Sequence, residues 1–157
     1  GHPHPGNLDI GRFPKGRDEV CDKVVAALIK AGYLAEAHPD IMIPKLLSPA
    51  TVQTNPGLVR HVRTMIEGNQ ISGIAGDLMA MAERPDSITL LKQITCPTQI
   101  IVGELDLPTP PSDAKLMADR IPNARLAIIP DAAHLSNLEE PDAFNNTVRE
   151  FIGNETR

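Results

Sequence analysis

The sequence predicts an α/β fold in which helices precede a strand, a helix, a second strand and a second helix. Up to about Arg84, apolar residues recur only at helical spacing. Beyond Leu90 there are two short, continuous apolar runs, residues 99–102 and 125–129, and their β-branched residues are typical of strands buried on both faces. A helical pattern separates the two runs and another follows, so strands and helices alternate as in α/β folds.

Composition narrows the possible functions. A chain of 157 residues with 41% hydrophobic content is long enough for one domain with a buried core. The net charge of -5 and the scattered lysines and arginines argue against a nucleic-acid partner, and with no Trp there is little surface on which bases stack. No apolar run is long enough to span a membrane and no signal peptide is evident, so we expect a cytoplasmic protein without a membrane partner.

The sequence offers no metal or cofactor site. Cys21 and Cys96 lie far apart and match no metal-ligand spacing or redox pair, so we expect two buried small hydrophobes in a reducing compartment. His2 and His4 lie in residues 1–16, which read as an irregular arm or a cloning remnant, and they lack a third ligand. We therefore predict no metal and no cofactor.

Three amphipathic helices are predicted in the first half of the chain. The first covers residues 18–31. The second covers residues 55–67, where Asn55 caps the helix and Pro56 occupies its first turn. The third covers residues 71–82, and a proline soon afterwards prevents it from continuing.

Prolines and glycines delimit the elements of the second half. Strands are predicted at residues 99–102 and 125–129. A helix that starts near Pro111 separates them, and a last helix runs from Pro141 until Gly153 ends it.

Asp106 and His134 follow the two predicted strands. An apolar strand, helix and strand fold most simply as a parallel pair with a right-handed crossover, so both strands end at one edge of the sheet. Asp106 lies four residues beyond Val102, and His134 lies five beyond Ile129. Because ligands bind at this edge in open α/β sheets, we predict that the two side chains meet there, whether the strands are neighbours or one strand intervenes.

An aspartate beside a histidine has a definite catalytic use. A carboxylate bonded to one ring nitrogen fixes the tautomer while the other nitrogen takes a proton from a hydroxyl or thiol. His134 would be the base and Asp106 its orienting group. The alternatives are an aspartate in an ordinary turn and a histidine satisfied by nearby backbone, but the pair in this topology favours the catalytic interpretation.

The residues around this pair resemble the C-terminal part of an α/β-hydrolase, and in detail the lactonase and carboxylesterase branch that includes 3-oxoadipate enol-lactonase-like proteins. The resemblance rests on three motifs: Ile94-Thr95-Cys96-Pro97-Thr98, Ile101-Val102-Gly103-Glu104-Leu105-Asp106 with Thr109-Pro110, and Ala133-His134-Leu135-Ser136-Asn137-Leu138-Glu139-Glu140-Pro141 with Phe144. It implies a helical cap over residues 17–86 and a C-terminal core portion over residues 87–157. It also implies Asp106 and His134 as the acid and histidine of a triad that acts on a small acyl ester or lactone.

The family resemblance also implies a nucleophile on a G-x-S-x-G elbow upstream of the cap. None of the serines has that flanking pattern: Ser48, Ser72, Ser87, Ser112 and Ser136. Ser136, although near His134 in sequence, is disfavoured as a substitute because the family has polar residues there without catalysis. We expect the nucleophile to come from a missing N-terminal half or from another polypeptide.

The histidine loop, Asp131-Ala132-Ala133-His134, departs from the family pattern at one point. Ala132 and Ala133 stand where the family usually has two glycines before the histidine. Because alanine disfavours a positive φ, we expect the backbone of this loop to differ locally from that of the family.

A different class of function is also compatible with the sequence: a non-catalytic α/β module that acts as an oligomeric or interaction protein. Two parallel strands have two open edges, so we expect a homodimer or a swapped assembly that completes the sheet. His38 and His61 are predicted to be surface residues, and Arg60 and Arg63 are predicted to solvate the outer face of the second helix.

Overall fold

The computed structural model describes residues 38–70, 73, 74, 76, 77, 80, 81 and 84–155. Residues 38–68 and 84–155 belong to one compact unit, and the few described residues between them from 69 to 83 belong to a second unit. The predicted arm, the first predicted helix and Cys21 lie outside the described residues, as does part of the third predicted helix. The predicted domain boundaries at residues 16 and 86 stay predictions.

Three short helices occupy residues 39–67 of the larger unit. They are α1 (Pro39–Leu46), α2 (Pro49–Thr54) and α3 (Pro56–Glu67). Each begins with proline, whose missing N–H would have no partner in a first turn. The side chains of the preceding residues, His38, Ser48 and Asn55, each accept a hydrogen bond from a backbone amide of the first turn. The predicted helix at residues 55–67 is confirmed, whereas α1 and α2 are too short to show an apolar stripe in the sequence.

The helices pack on a small apolar cluster that includes part of the loop after the second strand. Its buried residues are Ile43 and Leu47 beside α3's Val62, and Leu135 and Leu138 pack against them. Burial of this kind contributes about 25 cal/mol per Å² of apolar surface. The cluster therefore holds the segment that follows His134 against the helices.

The outer face of α3 is not simply solvated. Arg63 donates a hydrogen bond to Asp40 of α1 and also pairs with Glu67. The hydrogen bond from Arg63 holds the pKa of Asp40 below its ordinary value of 3.8. Arg63 is therefore half-buried and paired with α1, whereas Arg60, His38 and His61 are exposed as predicted.

The second part of the unit alternates strands and helices. Its elements are a 3₁₀ helix (Ile88–Gln93), β1 (Thr98–Gly103), α4 (Pro111–Arg120), β2 (Ala124–Ile129), α5 (Ser136–Glu139) and α6 (Pro141–Glu155). The predicted order of strand, helix, strand and helix is confirmed, with the one-turn helix α5 added before the last helix. The predicted end at Gly153 is wrong, because glycine permits a helix to end without forcing it to.

The two strands are parallel neighbours whose ends coincide. Thr98 pairs with Ala124 and Gly103 pairs with Ile129, so the strands end level at one edge. Helix α4 covers one face, where its Ala114 joins a cluster that contains Val102. Arg125 points to the other face, and its guanidinium carbon lies 5.9 Å from the centre of the Phe151 ring of α6. The parallel arrangement predicted from the sequence is confirmed.

Cys96 corrects another expectation. It is exposed, in the turn before β1, so its predicted burial is wrong. The turn leaves the thiol outside the apolar layer that begins with the strand. None of the helices in the described ranges combines the length and the apolar character needed to cross a membrane.

Gly103, the last residue of β1, lies directly against the loop that follows β2. A Cβ atom at this position would lie 2.1 Å from the carbonyl oxygen of Ala133 and 2.4 Å from that of Ala132. These distances are far inside van der Waals contact, and the opposing atoms belong to buried backbone. Only glycine lets the histidine loop approach the end of the strand this closely.

We predict that Gly103→Ala lowers the free energy of unfolding by about 3 kcal/mol, because the loop must move away to accommodate the methyl group. Urea unfolding followed by circular dichroism measures the loss. Gly57→Ala is the matched control: its Cβ would meet only Asn55 Oδ1, at an ordinary 3.5 Å, and the change should stay within about 1 kcal/mol. Equal effects of the two substitutions would contradict the close approach.

Candidate active site

Asp106 lies in the turn that follows β1, and its side chain is only 5% exposed. The backbone N–H of Thr109 donates to its Oδ1 at 2.9 Å, and the hydroxyl of Thr109 donates to its Oδ2, also at 2.9 Å. A buried carboxylate is costly unless its oxygens are bonded, and these two donors meet that requirement. Thr109 thus fixes the plane of the carboxylate.

His134 lies in the loop that follows β2 and meets this carboxylate. Its Nδ1 is 3.0 Å from Oδ2 and 3.1 Å from Oδ1 of Asp106. An ionised carboxylate only accepts, so Nδ1 carries the proton and donates it to Asp106. The predicted meeting of the two side chains at one edge of the sheet is confirmed.

The Nε2 atom of His134 makes no hydrogen bond to the described residues. Every hydrogen bond between its side chain and the described residues uses Nδ1. In the neutral ring, Nε2 is then an unprotonated acceptor, and the side chain is 34% exposed. The arrangement can accept a proton at Nε2 while Asp106 stabilises the resulting imidazolium.

Backbone hydrogen bonds join the two loops directly. The amide of Glu104 donates to the carbonyl of Ile129, and the amide of Leu105 donates to the carbonyl of Ala132, each at 2.9 Å. The Glu104 side chain adds an acceptor for the amide of Asp131 at 3.2 Å. These bonds continue the pairing of the strands beyond their ends, so the positions of the two side chains are coupled through the main chain.

The histidine loop makes a sharp turn although alanines occupy positions 132 and 133. Among the described residues Asp131 is the non-glycine residue with a positive φ, at 60°. Ala132 and Ala133 are buried and avoid that region. Aspartate tolerates the left-handed conformation better than most residues, so the sharp turn lies at Asp131. The contact between Asp106 and His134 forms with this backbone, and the expected difference from the family loop stays a prediction.

Within the described residues, no serine or cysteine is hydrogen-bonded to the ring of His134. The hydroxyl within reach of its ring belongs to Thr109, but it is 3.3 Å from Nδ1 and donates to Asp106. Ser136 is buried at the start of α5 and makes no hydrogen bond to His134 in the described part of the chain. Ser72 lies outside the described residues. Within the described residues, no group of three or more His, Cys, Asp or Glu side chains is placed to hold a metal ion.

Thr109 belongs to the acid motif that carries the family resemblance, but its role as a donor to Asp106 is not predicted from the sequence. An available signal is its position three residues after Asp106 in a turn, where aspartate side chains commonly accept backbone hydrogen bonds. The same spacing occurs at many ordinary turns, so it identifies Thr109 only once Asp106 is known to be part of a site.

Comparison with curated proteins finds relatives that match part of this chain, while no family model matches. The 3-oxoadipate enol-lactonase 2 of Acinetobacter baylyi is 29% identical over 101 residues, which cover 64% of this chain and 37% of the lactonase.

Comparison with solved structures gives broader matches. A thermophilic esterase from Thermogutta terrifontis is 32% identical with a TM-score of 0.74, and the match covers 90% of this chain and 52% of the esterase. The enol-lactonase from Burkholderia xenovorans LB400 is 27% identical with a TM-score of 0.72, and the match covers 86% of this chain and 50% of the lactonase. The chain thus spans about half the length of these structures.

Proposed function

Because this chain belongs to the α/β-hydrolase superfamily and spans only part of its relatives' length, we propose that it supplies the acid and the histidine of an active site that hydrolyses carboxylic esters or lactones. Asp106 is the acid and His134 is the general base. The observation that carries the proposal is the bond from His134 Nδ1 to the buried carboxylate of Asp106 at 3.0 Å.

The electrostatics of the pair suit this role. Asp106 is held by Thr109 and is nearly inaccessible to solvent, so it does not swing away when the imidazole becomes charged. Nε2 is the nitrogen that would take the proton from a nucleophilic hydroxyl and return it to the leaving group. Histidine and aspartate in this relation commonly raise rates by factors of about 10² to 10⁴.

We propose that the nucleophile is not one of the serines in this sequence. The sequence contains no G-x-S-x-G pattern, and the chain spans about half the length of the solved relatives. A missing N-terminal half or a separate polypeptide would bring the serine elbow and the backbone amides that stabilise the oxyanion.

A small acyl ester or lactone is the proposed substrate. The relatives named above are enol-lactonases and an esterase, and both reactions begin with attack on an acyl carbon.

We further propose that residues 17–86 form the helical cap implied by the family resemblance and that the protein acts in the cytoplasm.

Complementation tests the catalytic proposal. The chain is mixed with the part of the Acinetobacter baylyi enol-lactonase that precedes the matched region, and p-nitrophenyl acetate is the substrate. We expect the mixture, and not either part alone, to hydrolyse the ester. His134→Ala removes the base, and Asp106→Asn removes the carboxylate that fixes the tautomer of the base, so each should lower that turnover by about 10⁴-fold.

His61→Ala is the matched control, because this exposed histidine lies on α3 and should leave turnover unchanged. Turnover that survives His134→Ala would remove the proposed role of the pair. The absence of turnover in a mixture whose two parts bind each other would count equally against it.

A second proposal, that the chain is a homodimeric module without catalysis, is favoured by the exposed sheet. In the described residues the sheet has two strands, and Ile128 of β2 is 47% exposed. A second copy that pairs along an open edge would cover such residues. Sedimentation velocity at micromolar concentration should show a dimer that Ile128→Lys weakens, while a monodisperse monomer would contradict this proposal.

A further inference from the structure

Glu139 of α5 accepts hydrogen bonds from two distant backbone amides. Its Oε2 binds the N–H of Ala133, and its Oε1 binds the N–H of Ser48, each at 2.7 Å. Ala133 directly precedes His134, while Ser48 lies between α1 and α2. A single carboxylate therefore joins the histidine loop to the segment formed by α1 and α2.

The main chain is held on the other side of His134 as well. The amide of Leu135 donates to the carbonyl of Leu46, the last residue of α1, at 3.1 Å. The two neighbours of His134 in sequence are thus both fixed to residues 46–48, directly or through Glu139. Because both flanking peptides are held, the backbone fixes the Cα–Cβ direction of His134 independently of the bond to Asp106.

Burial makes these bonds hard to replace. Ser48 is 1% exposed and Ala133 is 2% exposed, so water has little access to either residue once the carboxylate is removed. Bonds from N–H groups to a charged acceptor are stronger than neutral ones, and the 2.7 Å distances lie at the short end of that class. Glu140, the next residue, is exposed, and its side chain makes no such bond to the described residues.

We propose that Glu139 is a positioning residue that sets the backbone of the histidine loop and thereby aims the imidazole of His134 at Asp106. It does not touch the reacting atoms. Its link to Ser48 makes the orientation of His134 depend on the α1–α2 segment as well as on the sheet. The value of this device for catalysis rests on the proposed function, whereas the device itself is tested without any activity.

Glu139→Gln in the full 157-residue chain is the test. Glutamine keeps the shape but presents one acceptor and one donor, so one buried amide then faces a donor. Amide hydrogen exchange measured by NMR should show about tenfold less protection at Ala133 or Ser48. The Nδ1–H proton signal of His134, which reports the bond to Asp106, should broaden or disappear.

Glu140→Gln is the matched control and should leave both the amide protection and the His134 signal unchanged. A folded Glu139→Gln chain whose His134 signal equals that of Glu140→Gln would overturn the proposal, because a merely structural carboxylate alters stability without moving the ring. If Glu139→Gln does not fold, scalar coupling across the hydrogen bond from the Ala133 amide nitrogen to the Glu139 carboxyl carbon is measured in the unaltered chain. Its absence would also overturn the proposal.

The two proposals fail in different ways. An inactive complemented mixture with a Glu139-dependent His134 signal would remove the hydrolase function and leave the positioning device. An active mixture with a signal that is indifferent to Glu139→Gln would do the reverse.

Discussion

Level pairing of two parallel strands is the constraint on which the rest of the site depends. Because Gly103 lies opposite Ile129, both strands end level with each other. The first residues of the two loops that follow continue to form backbone hydrogen bonds. A shift of one residue in this register would turn every following side chain to the other face. The contact between Asp106 and His134 is therefore a consequence of sheet geometry before it is a feature of side chains.

The site also stabilises the buried carboxylate of Asp106. Asp106 has its oxygens bonded by Thr109 and by the ring of His134, so desolvation of the carboxylate is offset by three donor groups. The histidine loop lies between the sheet on one side and the helical segment on the other, where Glu139 and the packing of Leu135 hold it. Asp106 and His134 thus have separate supports, and both supports lie within this chain.

Elements with a strong period could be predicted from the sequence, and single contacts could not. The strands, α4 and the meeting of Asp106 with His134 follow from runs of apolar residues and from the rules of parallel connection. Helices α1 and α2 are too short for a period to emerge. Glu139 is recognisable only when a carboxylate and two amides that are distant in sequence lie together, and the ion pair of Arg63 depends likewise on how α1 packs against α3.

This chain by itself brings Asp106 and His134 into contact, and a double-mutant cycle measures that contact directly. The free energies of unfolding of the unaltered chain, Asp106→Ala, His134→Ala and the double variant are determined in urea. We expect a coupling of about 1–2 kcal/mol between the two residues. Effects that add to within about 0.5 kcal/mol would show that the two side chains do not interact and would contradict the contact.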